Sequence, residues 1–288
     1  MIDLEKLKQQ KSIKELLEFG IINIDKPSGP TSFDVSEFVM KTLGLRKTSH
    51  FGTLDPKVTG VLPIALNRAC KLTGFFLGED KEYVGIMRIH EPVPDEELEK
   101  AIKDFTGKIK QLPPVKSRVA RVVREREIKS FEILEKDGQN FLFRVECQGG
   151  TYIRKLVHDL GGHLNVGAHM LELRRIRAGI FKEEKSCNLY DFEKAVGEYK
   201  KGNEELLRKI ISPGEIIIEL YQEIQINPDS AERILRGQPI YKKNLVKEEK
   251  VKKDEKICIF SDSRFIGVYW VVSEDRIFAK PEFVFQPI

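Results

Sequence analysis

The sequence changes its pattern near Pro213 and Gly214, and this change limits the folds that the chain can adopt. Before this point, strand-like and helix-like segments follow one another, beginning with GIINIDKPSGPTSFDVSEFVMKTLG, which is typical of a strand, a turn and a helix. After it come the short runs KICIF, FIGVYWVV and FVFQPI, which indicate a small β-barrel or sandwich. We therefore predict an N-terminal extension over residues 1–19, a main domain over 20–212 and a small β domain over 213–288.

The length and the apolar content of the chain are compatible with two domains. It has 288 residues, and 41% of them are hydrophobic, which is enough for a main domain with a small appendage. The first residues, MIDLEKLKQQKS, are charged, and no segment approaches the roughly 18 uninterrupted apolar residues that a membrane span needs. We therefore expect a soluble, cytoplasmic protein with no membrane partner.

The cysteines and histidines do not have the spacing of a disulfide framework or a metal site. Cys70, Cys147, Cys187 and Cys258 lie far apart and form no C-x-x-C pair. Three of the five histidines fall between positions 158 and 169, without the H-E-x-x-H spacing of a zinc site. We interpret them as core or polar-network residues and predict no bound metal.

The charge distribution is more informative than the net charge of +4. Between Lys110 and Lys129 the chain has seven basic residues against Glu125 and Glu127. The prolines in QLPPVKSRVAR predict that this basic segment begins as an exposed loop or hairpin. Such a segment suits the phosphates of a nucleic acid, but basic residues also protect an exposed edge strand from aggregation. The charge alone leaves both interpretations open.

A lone carboxylate, Asp55, lies in the segment HFGTLDPKVTG. Pro56 favours an extended conformation at Asp55, and Gly52 and Gly60 allow the backbone to bend on either side. In general such an acid caps its own turn, and that is the simpler interpretation here. It could otherwise act as a nucleophile, a base or an electrostatic stabiliser. The sequence has no Gly-rich phosphate loop and no G-x-S-x-G motif, so cofactor-free chemistry or simple RNA binding remains.

Several motifs resemble those of one enzyme family. GTLDPKVTGVLP resembles the catalytic motif of the TruB/dyskerin family of pseudouridine synthases, and it is accompanied in the expected order by NIDKPSGPTS, KEYV, GGTYIRKLVH and VGAHMLELRRIRAGIF. Near the C-terminus, DSAERILRGQPIY is similar to the RNA-binding PUA module of many of these enzymes. The resemblance implies an α+β fold, in which a mixed-sheet catalytic domain is followed by a β-barrel PUA-like domain.

The resemblance also implies a reaction and a set of partners. These enzymes detach uracil N1 from ribose C1′, rotate the base and rejoin it through C5, without a cofactor. DPKVTG and the VGAHM segment resemble the archaeal and eukaryotic guide-RNA branch. We therefore expect the archaeal-type catalytic subunit of an H/ACA ribonucleoprotein, with substrate RNA, an H/ACA guide RNA and small H/ACA proteins as partners. The alternatives are a stand-alone tRNA pseudouridine synthase and a non-catalytic RNA-binding assembly scaffold.

The family motifs assign a role to several side chains of the base site. By resemblance, Asp55 is the catalytic carboxylate and Arg154 is its arginine partner. Tyr83 matches the aromatic residue that stacks on the extruded base, and Leu173 matches an apolar contact in the base pocket. His50 matches a histidine that helps to receive the flipped nucleotide.

Other matched residues are expected to brace the site or to bind RNA. Lys26 and Pro27 are expected to buttress the catalytic loop. The expected RNA contacts are Lys116, Arg118 and Arg121 in a basic thumb loop, together with Arg174 and Arg175, for which a scaffold role is the alternative. The sequence departs from the family pattern at Ser49, Phe51, Arg118 and Arg121, and we expect Phe51 to add bulk beside the site.

Overall fold

A computed structural model describes residues 2–113, 120–272 and 276–286 of the chain. They form two compact units, a larger one over Gly20–Ile211 and a smaller one that combines Met1–Phe19 with Ser212–Ile288. From the sequence, residues 1–19 are predicted to be an N-terminal extension that is separate from both domains. In the structure these residues belong to the same unit as the C-terminal strands.

The helices are short throughout the described residues. In chain order, the α-helices are α1 (Leu4–Gln10), α2 (Ile13–Glu18), α3 (Ser32–Leu43), α4 (Thr73–Leu77), α5 (Asp95–Asp104), α6 (Ile153–His163), α7 (Leu189–Lys200), α8 (Glu205–Ile210) and α9 (Pro228–Leu235). Turns of 3-10 helix cover Asn67–Leu72, Glu183–Lys185, Gly214–Glu219 and Lys242–Asn244. Within the described ranges, none of these helices has the length and apolar character required to cross a membrane.

The strands form one sheet in the larger unit and a second in the smaller unit. In chain order they are β1 (Gly20–Lys26), β2 (Thr48–His50), β3 (Thr59–Leu66), β4 (Lys81–Ile89), β5 (Gly107–Gln111), β6 (Arg124–Asp137), β7 (Asn140–Cys147), β8 (Ala168–Ala178), β9 (Phe181–Lys182), β10 (Ile211–Pro213), β11 (Gln222–Gln225), β12 (Ile240–Tyr241), β13 (Lys256–Ser261), β14 (Arg264–Val271) and β15 (Ile277–Val284).

The sheet of the larger unit is mixed, as predicted. Its strands follow the order β1-β3-β8-β4-β7-β6-β5, with β2 beside β3 and β9 beside β8. The pair β3–β8 is parallel, whereas β1–β3, β8–β4, β4–β7, β7–β6 and β6–β5 are antiparallel. The predicted α+β class is therefore confirmed.

Local signals in the sequence explain where these elements begin and end. The Thr31 side chain accepts a hydrogen bond from the Asp34 amide, and the Asp34 side chain accepts one from the Thr31 amide, which forms a capping box at the start of α3. Gly44 ends the helix in the left-handed conformation, with φ of 66°. Asp137 and Asn140 pair across the β6–β7 hairpin, whose turn contains Gly138 at φ of 58°.

The smaller unit contains a five-stranded sheet over its described residues, in the order β11-β13-β14-β15-β12. Its core includes Ile224, Ile234, Ile257 and Tyr269, each at most 2% exposed. This half-barrel sheet is the predicted PUA-like β domain. The last strand differs in position from the run FVFQPI, because β15 already begins at Ile277, which pairs with Tyr241 of β12.

Phe19 attaches the N-terminal segment to the smaller unit. The ring is fully buried, and its centroid lies 4.2 Å from that of Phe285 and 5.7 Å from that of Phe265. Gly214 packs against the same ring so closely that an added Cβ would lie 2.5 Å from it. Nearby, the Lys11 ammonium donates a 2.5 Å hydrogen bond to the buried Glu215 carboxylate. Aromatic packing and an ion pair therefore fix this segment.

Phe19→Ala should destabilise the smaller unit, because it leaves a cavity where a buried ring was. We expect a loss of about 3–5 kcal/mol in its free energy of unfolding. The single tryptophan, Trp270, lies in this unit and reports its urea transition by fluorescence. As a control, Phe33→Ala removes a ring that is 66% exposed and should change the value by less than about 0.5 kcal/mol. An unchanged Trp270 transition in Phe19→Ala would contradict this packing.

Candidate active site

The Asp55 loop, residues 51–58, joins β2 to β3 and places one acid at the surface. Its apolar side chains are anchored in the core, since Phe51, Leu54 and Val58 are only 1%, 3% and 6% exposed. The Asp55 side chain, in contrast, is 49% exposed. The loop therefore has an apolar inner side and a solvent-facing carboxylate.

Phe51 does not lie where the sequence analysis expects it. Its ring stacks on Phe76, with centroids 4.7 Å apart and an interplanar angle of 11°, and it also contacts Phe181. Because this aromatic cluster buries the ring, Phe51 adds packing below the loop and no bulk on its exposed side. The expectation of a bulky residue beside the site is therefore wrong.

Lys26 lies under the Asp55 loop and connects it to the turn after β1. The side chain is fully buried. Its ammonium donates hydrogen bonds to the carbonyl oxygens of Pro27, Pro30 and Pro56, at 2.7, 2.8 and 3.0 Å. Burial lowers the pKa of Lys26, and the negative charge of Asp55 partly opposes this effect. Lys26 thus binds the backbone directly after the acid.

Ser32 fixes the backbone directly before the acid. Its hydroxyl donates to the Leu54 carbonyl at 3.0 Å, and it accepts from the Leu54 amide at 2.8 Å. Gly29 adds a backbone hydrogen bond, of 2.9 Å, to the Pro56 carbonyl. Both residues that flank Asp55 are therefore hydrogen-bonded to the first strand–turn–helix segment.

The Asp55 carboxylate pairs with Arg154 in the first turns of α6. The distance from Arg154 Nε to Asp55 Oδ2 is 3.2 Å, and the two side chains are 60% and 49% exposed. The turn after Asp55 is closed by its carbonyl, which accepts from the Val58 amide at 3.0 Å. Because such an exposed pair contributes only about 0–1 kcal/mol, its main effect is to orient the carboxylate.

Tyr83 and Leu173 lie on the same side of the sheet, through the register of β4 and β8. Tyr83 pairs with Arg175, and Gly85 pairs with Leu173. A Cβ on Gly85 would lie 3.0 Å from Leu173 Cδ1, so the glycine gives the leucine its space. Both Tyr83 and Leu173 are 8% exposed. Burial raises the pKa of the Tyr83 phenol, and the charge of Asp55 contributes in the same direction.

His50 is at the end of β2, opposite Ile64 of β3. Burial lowers the pKa of its imidazole, and the charge of Arg175 lowers it further. Among the described residues, its buried Nδ1 has no hydrogen-bond partner. The ring is therefore neutral at physiological pH.

The predicted RNA contacts have different surroundings. Lys116 and Arg118 lie outside the described residues, and Arg121 is exposed. Arg174 donates to both carboxylate oxygens of Asp25, at 3.0 and 2.9 Å, and to Glu183 at 2.5 Å. This arrangement favours a scaffold role for Arg174, which the sequence had left open.

Arg175 is 1% exposed. Its guanidinium donates to the Val61 carbonyl at 2.8 Å and to the Gly52 carbonyl at 3.1 Å. A side chain that is enclosed in this way has no surface for a phosphate group. The enclosed guanidinium of Arg175 therefore favours the scaffold role that the sequence had left open.

The other four histidines, His90, His158, His163 and His169, take part in polar pairs. His169 lies 2.7 Å from His90, between ring nitrogens, and His163 lies 3.4 Å from Asp104. His158 contacts its neighbour Asp159 at 3.4 Å. In the parts of the chain that the structure describes, no group of three or more His, Cys, Asp or Glu side chains is arranged to hold a metal ion.

Lys81 is a buried cation that the sequence analysis did not single out. It is 4% exposed, and its ammonium donates to the carbonyls of Phe76, Leu77 and Glu79, at 3.3, 3.3 and 2.5 Å. Burial, together with the charge of Arg175, lowers its pKa to about 8. A lysine at the start of a strand is usually exposed, so the alternating pattern of KEYV gave no signal for it.

Known proteins share this fold and its motifs. Residues 40–153 match the N-terminal domain of the TruB family pseudouridylate synthases, residues 154–219 the C-terminal domain of tRNA pseudouridylate synthase B, and residues 9–36 the DKCLD (NUC011) domain. The Probable tRNA pseudouridine synthase B of Methanopyrus kandleri is 46% identical over 255 residues, which cover 88% of this chain and 75% of that protein.

Two solved structures are similar over nearly the whole chain. A crystal structure of a Cbf5–Nop10–Gar1 complex matches with a TM-score of 0.89 and 37% identity, covering 97% of this chain and 89% of that chain. A structure of an H/ACA RNP bound to a substrate RNA containing 2′-deoxyuridine matches with a TM-score of 0.88 and 35% identity, with the same coverage.

The fold, the site and these relatives define an enzyme that isomerises uridine in RNA. More specifically, the chain belongs to the TruB family of pseudouridylate synthases. The resemblance of its motifs to this family is thereby confirmed.

The buried Lys81 should make stability depend on pH in a defined direction. Between its pKa of about 8 in the folded state and its ordinary value of 10.5, the unfolded chain holds a proton that the folded chain has released. Raising the pH in this window therefore favours folding, by up to about 3 kcal/mol. Relative to Lys81→Met, the wild type should gain stability from about pH 8 to about pH 10, measured by urea unfolding.

The matched control is Lys71→Met, which removes an exposed lysine. Its free energy of unfolding should change with pH in parallel with that of the wild type. Parallel curves for Lys81→Met and the wild type would show that Lys81 remains protonated throughout and would contradict the prediction.

Proposed function

We propose that this chain is the catalytic subunit of a guide-directed RNA pseudouridine synthase, with Asp55 as its catalytic carboxylate. The observation that carries this proposal is the surface-exposed Asp55 carboxylate, held 3.2 Å from Arg154 on a loop whose apolar side chains Phe51, Leu54 and Val58 are buried. A structural acid in a turn would not require a fixed loop and an arginine partner on a distant helix.

The geometry fits what the isomerisation requires of a protein. The glycosidic bond between uracil N1 and ribose C1′ breaks, and a bond from C5 to C1′ forms, with no net oxidation or reduction. An ionised carboxylate must lie beside the ribose and the base. It attacks C1′, adds to the base or removes the C2′ proton, and each route needs the acid oriented before RNA arrives. Arg154 supplies that orientation in the proposal.

The extruded uracil needs contacts that replace those of its RNA stack. Unstacking a nucleotide costs a few kcal/mol, about what one good stacking surface returns. We assign the stacking surface to Tyr83 and the apolar wall to Leu173, which share one side of the sheet. The neutral His50 lies on the strand that leads into the Asp55 loop and would contact the incoming nucleotide. Lys26 and Pro27 brace the loop in this assignment.

The partners follow from the similar structures. Those structures contain Nop10, Gar1 and a substrate RNA, and the matching chains are covered to 89%. We therefore assign this chain an H/ACA guide RNA and small H/ACA proteins as partners. The cytoplasmic location in the proposal is supported only by membership of an RNA-modifying enzyme family. Arg121, with Lys116 and Arg118, would contact the RNA from the basic segment, and the PUA-like unit would supply further RNA contacts.

A stand-alone tRNA enzyme is the second candidate. It is favoured by the relatives that carry the name tRNA pseudouridine synthase B. Both candidates use the same Asp55 chemistry, and they differ in whether a guide RNA is needed to select the uridine.

Asp55→Asn should abolish turnover without weakening RNA binding. It keeps the size of the side chain but removes the negative charge, so we expect less than about one-thousandth of the wild-type rate. RNA affinity should change by less than about twofold, because phosphate contacts elsewhere supply it. The rate is measured as tritium released from RNA labelled at uridine C5, and the affinity by filter binding.

Each enzyme is assayed with and without an H/ACA guide and partner proteins, and Asp137→Asn in the exposed β6–β7 turn is the matched control. The proposal is supported if tritium is released by the wild type and by Asp137→Asn in the presence of the guide, and in no other combination. Release from a tRNA transcript without a guide supports the stand-alone enzyme. Equal release from Asp55→Asn and the wild type, or release from neither, contradicts the assigned role of Asp55.

A further inference from the structure

A bulge in β8 separates the arginines of the ELRRIR segment. Glu82 of β4 pairs with Arg177, but the next residue, Tyr83, pairs with Arg175, which leaves Ile176 as an extra residue. Neighbouring residues of a strand point to opposite faces, so this extra residue turns Arg175 and Arg177 to opposite sides of the sheet. Arg175 keeps the normal alternation with Leu173 and lies with Tyr83 on the inner side, whereas the bulge turns Arg177 to the outer side.

The arginines on the outer side have carboxylate partners. Arg177 donates to Glu82 at 3.2 Å and to Glu146 at 2.8 Å, and Arg174 is bound by two acids in a similar way. Arg175 instead donates hydrogen bonds to the carbonyls of Val61 and Gly52. A buried charge that is compensated by backbone oxygens costs desolvation free energy, and the fold maintains this cost next to the Asp55 loop.

Arg175 contacts the chain on both sides of the Asp55 loop. At the start of the loop, its guanidinium binds the Gly52 carbonyl, and a Cβ on Gly52 would lie 3.4 Å from Arg175 Nη1. After the loop, its backbone pairs with Gly60 in the parallel β3–β8 register. A Cβ on Gly60 would lie 2.2 Å from the Arg175 carbonyl oxygen, and both glycines have φ near +100°. The separation of the two ends of the loop is thus set by one residue.

The same guanidinium acts on the side chains assigned to the base site. Burial raises the pKa of Tyr83, whereas the charge of Arg175 and a hydrogen bond with it oppose this rise. Burial lowers the pKa of His50, and Arg175 adds to that decrease. The acid loop, the stacking residue and the histidine are therefore all in contact with, or in the field of, one buried cation.

We propose that Arg175 is a positioning residue for the isomerisation, which holds the ends of the Asp55 loop and the Tyr83 side chain in their reactive arrangement before RNA binds. This inference rests on the proposed role of Asp55 as the catalytic carboxylate. It replaces the phosphate contact that the sequence suggested. A positioning role predicts a loss of rate with no loss of RNA affinity, whereas a phosphate contact predicts the reverse.

The test compares Arg175→Met and Arg175→Lys with Arg177→Met in the full chain, assembled with guide RNA and partner proteins. Arg177 lies on the same strand and is also largely buried, but it bonds to outer-face carboxylates. Single-turnover rates at saturating RNA should fall about a hundredfold in Arg175→Met, since displacing a catalytic group by about 1 Å has an effect of that size. Arg175→Lys keeps the charge but reaches fewer carbonyls, so it should recover part of the rate.

A spectroscopic readout separates positioning from general damage to the fold. The pKa of His50, measured by NMR titration of its ring protons, should rise in Arg175→Met and stay unchanged in Arg177→Met. Thermal unfolding of both variants shows whether their stability falls equally. Should Arg175→Met fail to fold, the rate and the His50 titration of Arg175→Lys carry the test.

The outcomes distinguish this inference from the proposed function. A slow Arg175→Met with unchanged RNA affinity, beside a fast Arg177→Met, supports the inference. It is overturned if Arg175→Met keeps the wild-type rate, loses RNA affinity instead, or is no slower than an equally destabilised Arg177→Met. If Asp55→Asn is inactive in the same assay, the proposed function survives that result. If Asp55→Asn turns over normally, the proposed function itself fails.

Discussion

The proposed active site depends on hydrogen bonds from buried cations to backbone carbonyls. Lys26, Lys81 and Arg175 are each at most 4% exposed, and each donates hydrogen bonds to carbonyl oxygens of the main chain. Moving a charge out of water is costly, and several carbonyl dipoles offset that cost only if they converge on the cation. The interaction therefore fixes the path of irregular segments that have no ladder of strand hydrogen bonds. In this fold, Lys26 and Arg175 bind carbonyls of the loop that carries Asp55.

This design separates the exposed acid from the parts that hold it. Asp55 and Arg154 are half exposed, and their pairing contributes little to stability. The anchoring lies underneath, where Leu54 and Pro56, on either side of the acid, are bound by Ser32 and Lys26. The carboxylate can thus remain open to a large substrate without losing its orientation. An active site for RNA needs this combination, because a whole nucleotide must reach the acid.

The sequence predicted the features that depend on local patterns. The capping box at Thr31, the β6–β7 turn and the separate β-rich C-terminal unit follow from spacing, and the family motifs are the basis of the roles proposed for Asp55, Tyr83 and Arg154. The sequence did not show that Arg175 and Phe51 are buried, because the surroundings of both side chains depend on tertiary structure. The bulge at Ile176 turns Arg177 away from the side of Arg175, and no residue type in ELRRIR signals it. Likewise, nothing in KEYV shows that Lys81 meets carbonyls of the preceding segment.

The contacts of Lys26 and Ser32 imply that the protein itself fixes the Asp55 loop before RNA binds. Hydrogen–deuterium exchange of the Leu54 and Val58 amides tests it most directly, since these amides donate to Ser32 Oγ and to the Asp55 carbonyl. The free protein should protect both amides as strongly as the complex with guide and substrate RNA. Rapid exchange in the free protein, with protection that appears only after RNA binds, would show that RNA orders the loop and would contradict the claim.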